Sequence, residues 1–399
     1  MRSLKVLCVF GTRPEAIKMA PLVKALEREE CIDSRVCVTA QHREMLDSVL
    51  TLFEIVPWKD LAIMRHGQTV TDITVRVLTG IQSVLHEWRP DYVLVHGDTT
   101  TTFVTSLAAF YEKIPVGHVE AGLRTGNPYS PYPEEMNRRL TGSLASLHFA
   151  PTARNRSHLL KENVPDEQIF VTGNTVIDAL LSVVQQNYNF SNDLLNRLKE
   201  ESPAHPLVVM TCHRRENWGQ PMESIFQAVA QLARRYPHFR VVYPVHLNPA
   251  IGKLAEEILG VESNIHLIPP MDYEPFANLL AISRLILTDS GGIQEEAPAL
   301  GIPILVMRTE TERPEAVEAG TVRVAGVHTE NIYQEATKLL DHPEAYNRMA
   351  QAMNPYGDGN ASGRIIDALM WKAGCLKEKP RPWEPEEPDK QRFSELIKL

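Results

Sequence analysis

The side chains that could carry chemistry in this sequence are carboxylates and cations that follow short apolar runs. Asp98 and Glu120 each come directly after such a run, and Glu134 stands four residues before Arg138. Carboxylates from separate loops, together with arginines, indicate an acid/base site in which neighbouring charges push pKa values apart. Each residue also has a simpler reading. Asp98 could only cap a helix, and Glu134 could form a surface ion pair with Arg138 at helical spacing.

A second group of residues has the pattern of an anion site. Ser290, Gly291 and Gly292 follow the apolar run Leu285 to Thr288 and precede a predicted helix. Adjacent glycines let an anion approach the backbone closely, and the start of a helix favours negative charge, so we expect a phosphate or diphosphate there. Glu296 lies four residues beyond Gly292 on the same helical face, where its carboxylate could accept hydrogen bonds from a ribose diol. The alternative is an ordinary turn between a strand and a helix.

Further cations stand at the predicted ends of strands. Arg13 and Lys18 follow the first strand, His213 lies beside two arginines, and Arg313 follows a later strand. The turn that contains Arg13 is not the GxGxxG fingerprint, so a nicotinamide or flavin cofactor is disfavoured. No HxxxH or HExxH spacing accompanies His213, and we predict no metal site.

The elements that must position these residues alternate between strand and helix, which predicts parallel sheets with helices on both faces. The alternation restarts after Pro206, so we predict an α/β protein of two Rossmann-like, doubly wound domains facing a central cleft. The stretch from Val176 to Glu200 is predicted to be helical. The predicted divisions are an N-terminal domain with the carboxylates (1–173), a connecting helix and hinge (174–205), a C-terminal phosphate-binding domain (206–360), a helix packing back on the first domain (361–376) and a charged, proline-rich tail (377–399).

Composition excludes several classes of function. The chain has 399 residues with 43% hydrophobic and 23% charged residues, enough for two cores. Its net charge of −9 argues against non-specific binding to nucleic acid or to an anionic membrane. The apolar run at the amino terminus is too short to span a membrane and reads as a first strand, so we expect a cytoplasmic protein.

Ten motifs together resemble the non-hydrolysing bacterial UDP-N-acetylglucosamine 2-epimerases over about residues 4 to 370; they include FGTRPEAIKMAP, HGDTTTTF, VGHVEAGLRT, YPEEMNRR, TCHRREN and LTDSGGIQEEAPALGIP. The resemblance implies a glycosyltransferase-B-type fold and a homodimer. It also implies interconversion of UDP-N-acetylglucosamine and UDP-N-acetylmannosamine, which supplies mannosamine units for cell-surface polysaccharides. No metal or redox cofactor is implied, because UDP is both leaving group and nucleophile.

The resemblance also implies residue roles. In the family, UDP leaves C1 as the C2 proton is removed, and UDP then adds back to 2-acetamidoglucal. Asp98, Glu120 and Glu134 become the acid/base candidates with Arg138 and His213 beside them, and which carboxylate takes the proton stays open. The implied substrate-binding residues are Arg13, Lys18, His213, Phe276, Ser290, Gly291, Gly292, Glu296 and Arg313. The implied effector-binding residues, for a second UDP-N-acetylglucosamine, are Gln41, His42 and Glu44.

Three other functions remain open at this point. A glycosyltransferase of the same fold would need an acceptor and would leave the cluster of Asp98, Glu120 and Glu134 unexplained. A non-catalytic sensor of nucleotide sugars would bind tightly without exchanging the C2 proton. A hydrolysing epimerase would release free N-acetylmannosamine.

Overall fold

The structure is a computed structural model that describes residues 3–40, 43–65 and 67–385, with only the backbone of residues 43 and 44. The predicted effector residues Gln41 and His42, the side chain of Glu44 and most of the predicted tail lie outside the described part. The described chain forms two compact units. Unit 1 comprises the residues up to Ser182 together with Tyr356–Glu384, and unit 2 comprises Val183–Pro355.

Unit 1 is built on a parallel sheet of seven strands. In chain order they are β1 (Leu4–Phe10), β2 (Ile32–Val38), β3 (Lys59–Asp60), β4 (Tyr92–His96), β5 (Val116–Val119), β6 (Leu147–Ala150) and β7 (Ile169–Val171). Their order in the sheet is β3-β2-β1-β4-β5-β6-β7. The strand order therefore reverses between β1 and β4, and in such sheets ligands bind beyond the carboxyl ends of the strands at that point.

In the described residues, the strands of unit 1 are connected by α1 (Arg13–Glu27), α2 (Arg43–Leu52), α3 (Val70–Glu87), α4 (Thr100–Tyr111), α5 (Glu134–Leu144) and α6 (Ala153–Lys161). Helix α7 (Thr175–Val183) follows β7, and its last residue already belongs to unit 2. Helix α1 begins with a capping box, in which Thr12 and Glu15 each bind the other's backbone N–H. Helix α4 is capped by the side chain of Thr99, which accepts a hydrogen bond from the N–H of Thr102. Asp98 is therefore not the cap of α4, and its simpler reading is wrong.

Unit 2 has a parallel sheet of six strands: β8 (Leu207–Thr211), β9 (Arg240–Pro244), β10 (Ile265–Ile268), β11 (Ser283–Thr288), β12 (Ile304–Val306) and β13 (Val322–Val324). Their order is β10-β9-β8-β11-β12-β13, so the reversal lies between β8 and β11. Strands β8 and β12 are buried along their whole length and β11 is buried except at Arg284, as expected for central parallel strands covered on both faces.

The helices of unit 2 are α8 (Asp193–Glu201), α9 (Gln220–Arg235), α10 (Pro249–Ile258), α11 (Tyr273–Ala281), α12 (Gly291–Glu296), α13 (Pro314–Glu318), α14 (Thr329–Asp341) and α15 (Pro343–Ala350). The prediction of continuous helix from Val176 to Glu200 was wrong, because α7 ends at Val183 and α8 begins ten residues later. The side chain of Asn192 accepts hydrogen bonds from the N–H groups of Leu194 and Leu195, which starts a new helix.

The chain returns to unit 1 after Pro355. Helix α16 (Ala361–Lys372) lies against α1, and the buried carboxylate of Asp178 accepts hydrogen bonds from the N–H groups of Ala361 and Ser362 at its start. Two doubly wound α/β units confirm the predicted fold class. None of the helices in the described residues is both long enough and apolar enough to cross a membrane.

Candidate functional site

The first group of predicted site residues lies at the carboxyl ends of β1, β4 and β5 in unit 1. The turn after β1 starts at Gly11, where a Cβ atom would lie 2.0 Å from the hydroxyl of Thr39, so only glycine fits this close approach. Arg13 follows as the first residue of α1 and is half-buried. Its side chain makes no hydrogen bond or ion pair with another described residue, which leaves this cation able to bind an anion.

Asp98 follows β4, and the helix α5 holds it. Arg138 donates from Nε to Asp98 Oδ2 at 2.8 Å, and its Nη2 lies 2.6 Å from the same oxygen. Asn137 donates from Nδ2 to the carbonyl oxygen of Asp98 at 2.9 Å. Burial raises the pKa of Asp98; Arg138 opposes this shift and the nearby Glu120 adds to it, so the pKa stays above its usual value. A carboxyl group with a raised pKa beside a fixed cation is suited to accept and return a proton.

Glu120 follows β5 and has an unusual backbone. Its φ of 63° lies in the left-handed region, which costs a residue other than glycine about 1–3 kcal/mol and is often found at functional sites. Its carboxylate pairs with Lys18 from α1 and accepts from Asn174 Nδ2 at 3.1 Å. The buried His96 lies 3.9 Å from the other carboxylate oxygen, and burial lowers the pKa of His96 to about 4. This imidazole is therefore uncharged at neutral pH.

Glu134 and Glu135 begin α5 but have different surroundings. Glu135 is fully buried and accepts hydrogen bonds from Arg138, Arg139 and the N–H groups of Thr125 and Gly126. Burial alone would raise the pKa of Glu135, but these donors hold it below its usual value. The Oε2 atom of Glu134 is buried with no hydrogen-bond partner among the described residues.

The surface ion pair between Glu134 and Arg138, which was the simpler reading of their spacing, is not formed. Arg138 instead binds Asp98 and Glu135, although Glu134 has the spacing of a helical ion pair. The half-buried carboxylate of Asp98 and the buried carboxylate of Glu135 occupy the guanidinium group instead. The Asp98–Arg138 and Lys18–Glu120 pairs of unit 1 are close enough for the charge of Glu120 to act on Asp98, and Glu134 lies one helical turn before Arg138.

The second group lies at the carboxyl ends of β8 and β11 in unit 2. Asp289, fully buried at the end of β11, accepts at Oδ2 from the N–H groups of His213 and Arg214 at 2.9 and 2.8 Å. The Nδ1 atom of His213 lies 3.1 Å from Oδ1 of the same carboxylate. Burial would raise the pKa of Asp289, but His213 and the backbone donors lower it, so Asp289 is a fixed anion that orients His213.

The predicted Ser290–Gly292 turn is present, with two arginines beside it. A Cβ atom on Gly291 would lie 3.3 Å from Nη2 of Arg214 and 3.8 Å from Nη2 of Arg313, so both guanidinium groups reach this face of the backbone. Helix α12 has only six residues and continues as the 3₁₀ turn Ala297–Leu300. The helix dipole predicted for this position is therefore weak. Arg313 is paired with Glu295, and Glu312 Oε1 lies 3.7 Å from Arg214 Nη2 and 3.6 Å from the Cβ position of Gly291.

Glu296 and Phe276 lie at neighbouring elements of unit 2. The phenol of Tyr273 at the start of α11 donates to Glu296 Oε2 at 3.1 Å. Phe276 is one turn further along α11 and is half-buried. A Cβ atom on Gly292 would lie 3.3 Å from Glu296 Oε1, so Glu296 borders the same glycine turn.

Several residues of these groups were not singled out from the sequence: His96, Glu135, Asn137, Asn174, Arg214 and Asp289. Asn174 and Asp289 each come shortly after a strand that ends at the site edge, so strand ends were a usable signal for them. His96 and Arg214 also stand at or shortly after strand ends, whereas Glu135 and Asn137, inside α5, are recognised only from their contacts. Within the described residues, no group of three or more His, Cys, Asp or Glu side chains could hold a metal ion.

Comparison with known proteins gives consistent results. Residues 24–370 match the family model for UDP-N-acetylglucosamine 2-epimerase. The chain is 58% identical over 370 residues to the UDP-N-acetylglucosamine 2-epimerase of Salmonella typhimurium, covering 92% of this chain and 98% of that protein. The chain is also similar to the solved structure of a Staphylococcus aureus MnaA–UDP complex, with a TM-score of 0.86 and 49% identity, covering 96% of this chain and 100% of that chain. It is similar as well to the structure of the Neisseria meningitidis UDP-GlcNAc 2-epimerase bound to UDP-GlcNAc, with a TM-score of 0.82 and 51% identity, covering 92% of this chain and 100% of that chain.

Proposed function

The chain belongs to the UDP-N-acetylglucosamine 2-epimerase family, and on that premise we propose that it interconverts UDP-N-acetylglucosamine and UDP-N-acetylmannosamine. The family predicted from the motifs is thereby confirmed. The enzyme is an isomerase that changes the configuration at C2 of the sugar. No atoms are gained or lost overall, so substrate and product differ only in the side from which C2 carries its hydrogen.

We propose a sequence of elimination and addition for this reaction. A base removes the C2 proton while the C1–O bond to UDP breaks, and its electron pair leaves with UDP. The product of this step is 2-acetamidoglucal. UDP then adds back to C1 as an acid returns a proton to the opposite face of C2. The C2 proton is only weakly acidic, so the reaction needs a positioned base and cations that stabilise the departing diphosphate.

The observation that carries this assignment is the group around Asp98 in unit 1. Asp98 has a raised pKa and is held at one oxygen by Arg138, while Glu120 is fixed by Lys18 in a strained backbone conformation. Two carboxyl groups in different environments suit one acid and one base. In the proposal Asp98, Glu120 and Glu134 share these roles, with Arg138 and His213 assisting them.

In unit 2 we propose that the Ser290–Gly292 turn binds the diphosphate of UDP. Arg313 supplies positive charge at Gly291, and His213 is oriented by Asp289. Glu296 would accept hydrogen bonds from the ribose hydroxyls, and Phe276 would contact the uracil side. Arg13 and Lys18 are the proposed UDP contacts of unit 1. An elimination mechanism requires that UDP stays bound after it has left C1, which is consistent with this number of cations.

Proton NMR of the purified protein with UDP-N-acetylglucosamine in deuterium oxide tests the proposal directly. We expect the signals of UDP-N-acetylmannosamine to appear and deuterium to enter C2 of both sugars. Free N-acetylmannosamine would instead indicate a hydrolysing enzyme. Binding without isomerisation or exchange would indicate a sensor, and transfer only after an acceptor is added would indicate a glycosyltransferase.

We further propose that the chain acts as a homodimer in the cytoplasm and supplies mannosamine units for cell-surface polysaccharide. A second UDP-N-acetylglucosamine is the proposed effector, with Gln41, His42 and Glu44 as its contacts. Light scattering on a size-exclusion column tests the dimer. Sigmoidal dependence of the reverse reaction on added UDP-N-acetylglucosamine tests the effector, and its loss in Gln41→Ala would assign the site.

A further inference from the structure

Glu15 is a buried carboxyl group that the proposed mechanism does not use. It is only 3% exposed and belongs to the capping box of α1. Its Oε2 atom accepts hydrogen bonds from the N–H groups of Gly11 at 3.1 Å and Thr12 at 2.8 Å. A capping box needs no more than this. The second oxygen, Oε1, is nevertheless also engaged, and its partners come from a different part of the chain.

The partners of Oε1 are two hydroxyl groups at the start of α4. Thr99 Oγ1 lies 2.7 Å from Glu15 Oε1, and Thr102 Oγ1 lies 3.0 Å from it. These residues are 84 and 87 positions away in the sequence. Glu15 therefore joins the turn after β1, which carries Arg13, to the turn after β4, which carries Asp98.

Counting the available protons bears on the charge of Glu15. The hydroxyl of Thr102 has one proton, and its oxygen lies 2.6 Å from the carbonyl oxygen of His96, which can only accept. That proton is therefore used, and the 3.0 Å contact between Thr102 Oγ1 and Glu15 Oε1 needs another one. The hydroxyl of Thr99 supplies its proton to Oε1 at the shorter distance of 2.7 Å. Thr99 Oγ1 also lies 3.1 Å from Thr102 Oγ1, but this approach follows the hydrogen bond from the N–H of Thr102 to Thr99 Oγ1, and the proton of Thr99 is already used at Oε1. The remaining source of a proton for the contact between Thr102 and Oε1 is the carboxyl group of Glu15 itself.

The electrostatic surroundings support a neutral carboxyl group. Burial raises the pKa of Glu15, and the hydrogen bonds from Thr99, Gly11, Thr12 and Thr102 only partly oppose this. Within the described residues, no cation forms an ion pair with it. Lys18 pairs with Glu120 and Asp98 with Arg138, and His96 is uncharged at neutral pH. Arg13, the other cation of the first turn, forms no ion pair with Glu15.

We propose that Glu15 is held as a neutral carboxylic acid that locks the turn of Arg13 to the turn of Asp98, and that it is thereby a positioning residue for epimerisation. Its role in epimerisation rests on the proposed function, whereas its protonation state does not. The far side of the second turn is fixed separately, because His118 Nε2 lies 2.7 Å from the carbonyl oxygen of Gly97. Removing Glu15 would therefore free one side of the turn while the other stays attached.

The protonation state is tested first, and independently of activity. In Glu15→Gln, the amide oxygen can replace Oε2, and the NH₂ group can donate to both threonine hydroxyls. A neutral Glu15 predicts a C=O stretch of a protonated carboxyl group in the infrared difference spectrum, wild type minus E15Q, at neutral pH. It also predicts a urea midpoint for E15Q equal to or above that of the wild type. A carboxylate band in that difference spectrum, or a lower midpoint for E15Q, would overturn the neutral state.

The positioning role is tested by the turnover of three variants. E15Q should retain most turnover, whereas Glu15→Met should lower kcat by roughly 100-fold, because a displacement of about 1 Å can cost that much. Thr102→Val removes one of the two contacts on the α4 side, together with the hydrogen bond from Thr102 to the carbonyl oxygen of His96. It leaves the capping box intact, so it remains informative if E15M does not fold. We expect T102V to lower kcat and to shift its pH profile, since Asp98 moves relative to Arg138. Wild-type kcat and pH profile in T102V would refute the positioning role, as would equal losses in E15Q and E15M.

Discussion

The neighbouring residues Glu134 and Glu135 should have opposite phenotypes when each is changed to glutamine. Glu135 accepts four hydrogen bonds, two from arginines and two from backbone N–H groups, whereas Glu134 Oε2 is buried with no partner among the described residues. The same isosteric substitution therefore removes an extensively bonded carboxylate at one position. At the other position it removes a carboxylate that the fold leaves available for chemistry.

The structure gives the size of both effects. A glutamine at Glu135 keeps one oxygen and turns an NH₂ group towards two of the former donors, so it loses about two hydrogen bonds to a charged group. At roughly 1.5–3 kcal/mol each, Glu135→Gln should destabilise unit 1 by about 3–6 kcal/mol. Glu134→Gln should leave stability within about 0.5 kcal/mol. Loss of a general acid or base should nevertheless lower its kcat by about 10²–10⁴-fold, or roughly 3–5 kcal/mol of transition-state stabilisation.

Two measurements separate these effects. Urea unfolding followed by circular dichroism gives the stability of each variant, and NMR signals of the two nucleotide sugars give kcat at a temperature where both variants are folded. UDP affinity of Glu134→Gln, measured by calorimetry, should match the wild type, because the proposed diphosphate contacts are other residues. Wild-type kcat in Glu134→Gln would refute the catalytic role. An unchanged unfolding midpoint in Glu135→Gln would refute the account of the buried carboxylate.

Three further predictions concern UDP binding and stability. Arg13→Ala removes a cation that no described residue pairs with. Calorimetry should therefore show that UDP binds about tenfold more weakly, or by ~1.4 kcal/mol, while the unfolding midpoint stays unchanged. Unchanged affinity for UDP would exclude Arg13 from the site. Gly291→Ala places a methyl group 3.3 Å from Nη2 of Arg214 and should likewise raise the Kd for UDP about tenfold. Gly252→Ala is the control, because no atom lies within 4 Å of its added methyl group, and it should leave the Kd unchanged. Equal affinities of the two variants would show that no anion approaches Gly291. Burial lowers the pKa of His118 to about 3 from 6.5, so below pH 6.5 the unfolded chain binds a proton that the folded chain does not. The contribution of His118 to the free energy of unfolding should therefore be complete above pH 6.5 and should fall towards pH 3 by up to about 1.4 kcal/mol per pH unit. The urea midpoint of His118→Gln should fall less steeply with decreasing pH than that of the wild type, whereas the midpoint of the exposed His86→Gln should not.

Much of the fold was predictable from the pattern of the sequence. Apart from β3, the strands from β1 to β12 lie close to the predicted apolar runs, because parallel strands covered on both faces are largely apolar. The break between α7 and α8 was missed, since Asn192 caps a new helix without a proline or glycine to mark the interruption. The two-residue strand β3 is too short to leave a pattern.

The sequence by itself determined which residues stand at the ends of strands. Asp98, Glu120, His213 and Ser290 each follow an apolar run, and the alternation of strand and helix requires parallel sheets, whose strand ends share one edge. The motifs around these residues were also sufficient to identify the family, because motif order and residue types are properties of the chain alone.

The tertiary structure decided which charges meet and which stay protonated. Local spacing allowed Arg138 to pair with Glu134, yet Arg138 binds Asp98, 40 positions away in the sequence. Spacing along a helix shows only which side chains are close enough to pair. Which carboxylates do pair depends on burial, because a carboxylate removed from water without a cation beside it is strongly destabilising. The raised pKa of Asp98 and the proposed neutral state of Glu15 have the same cause. Both depend on the removal of water by elements distant in the sequence, and no local pattern records that.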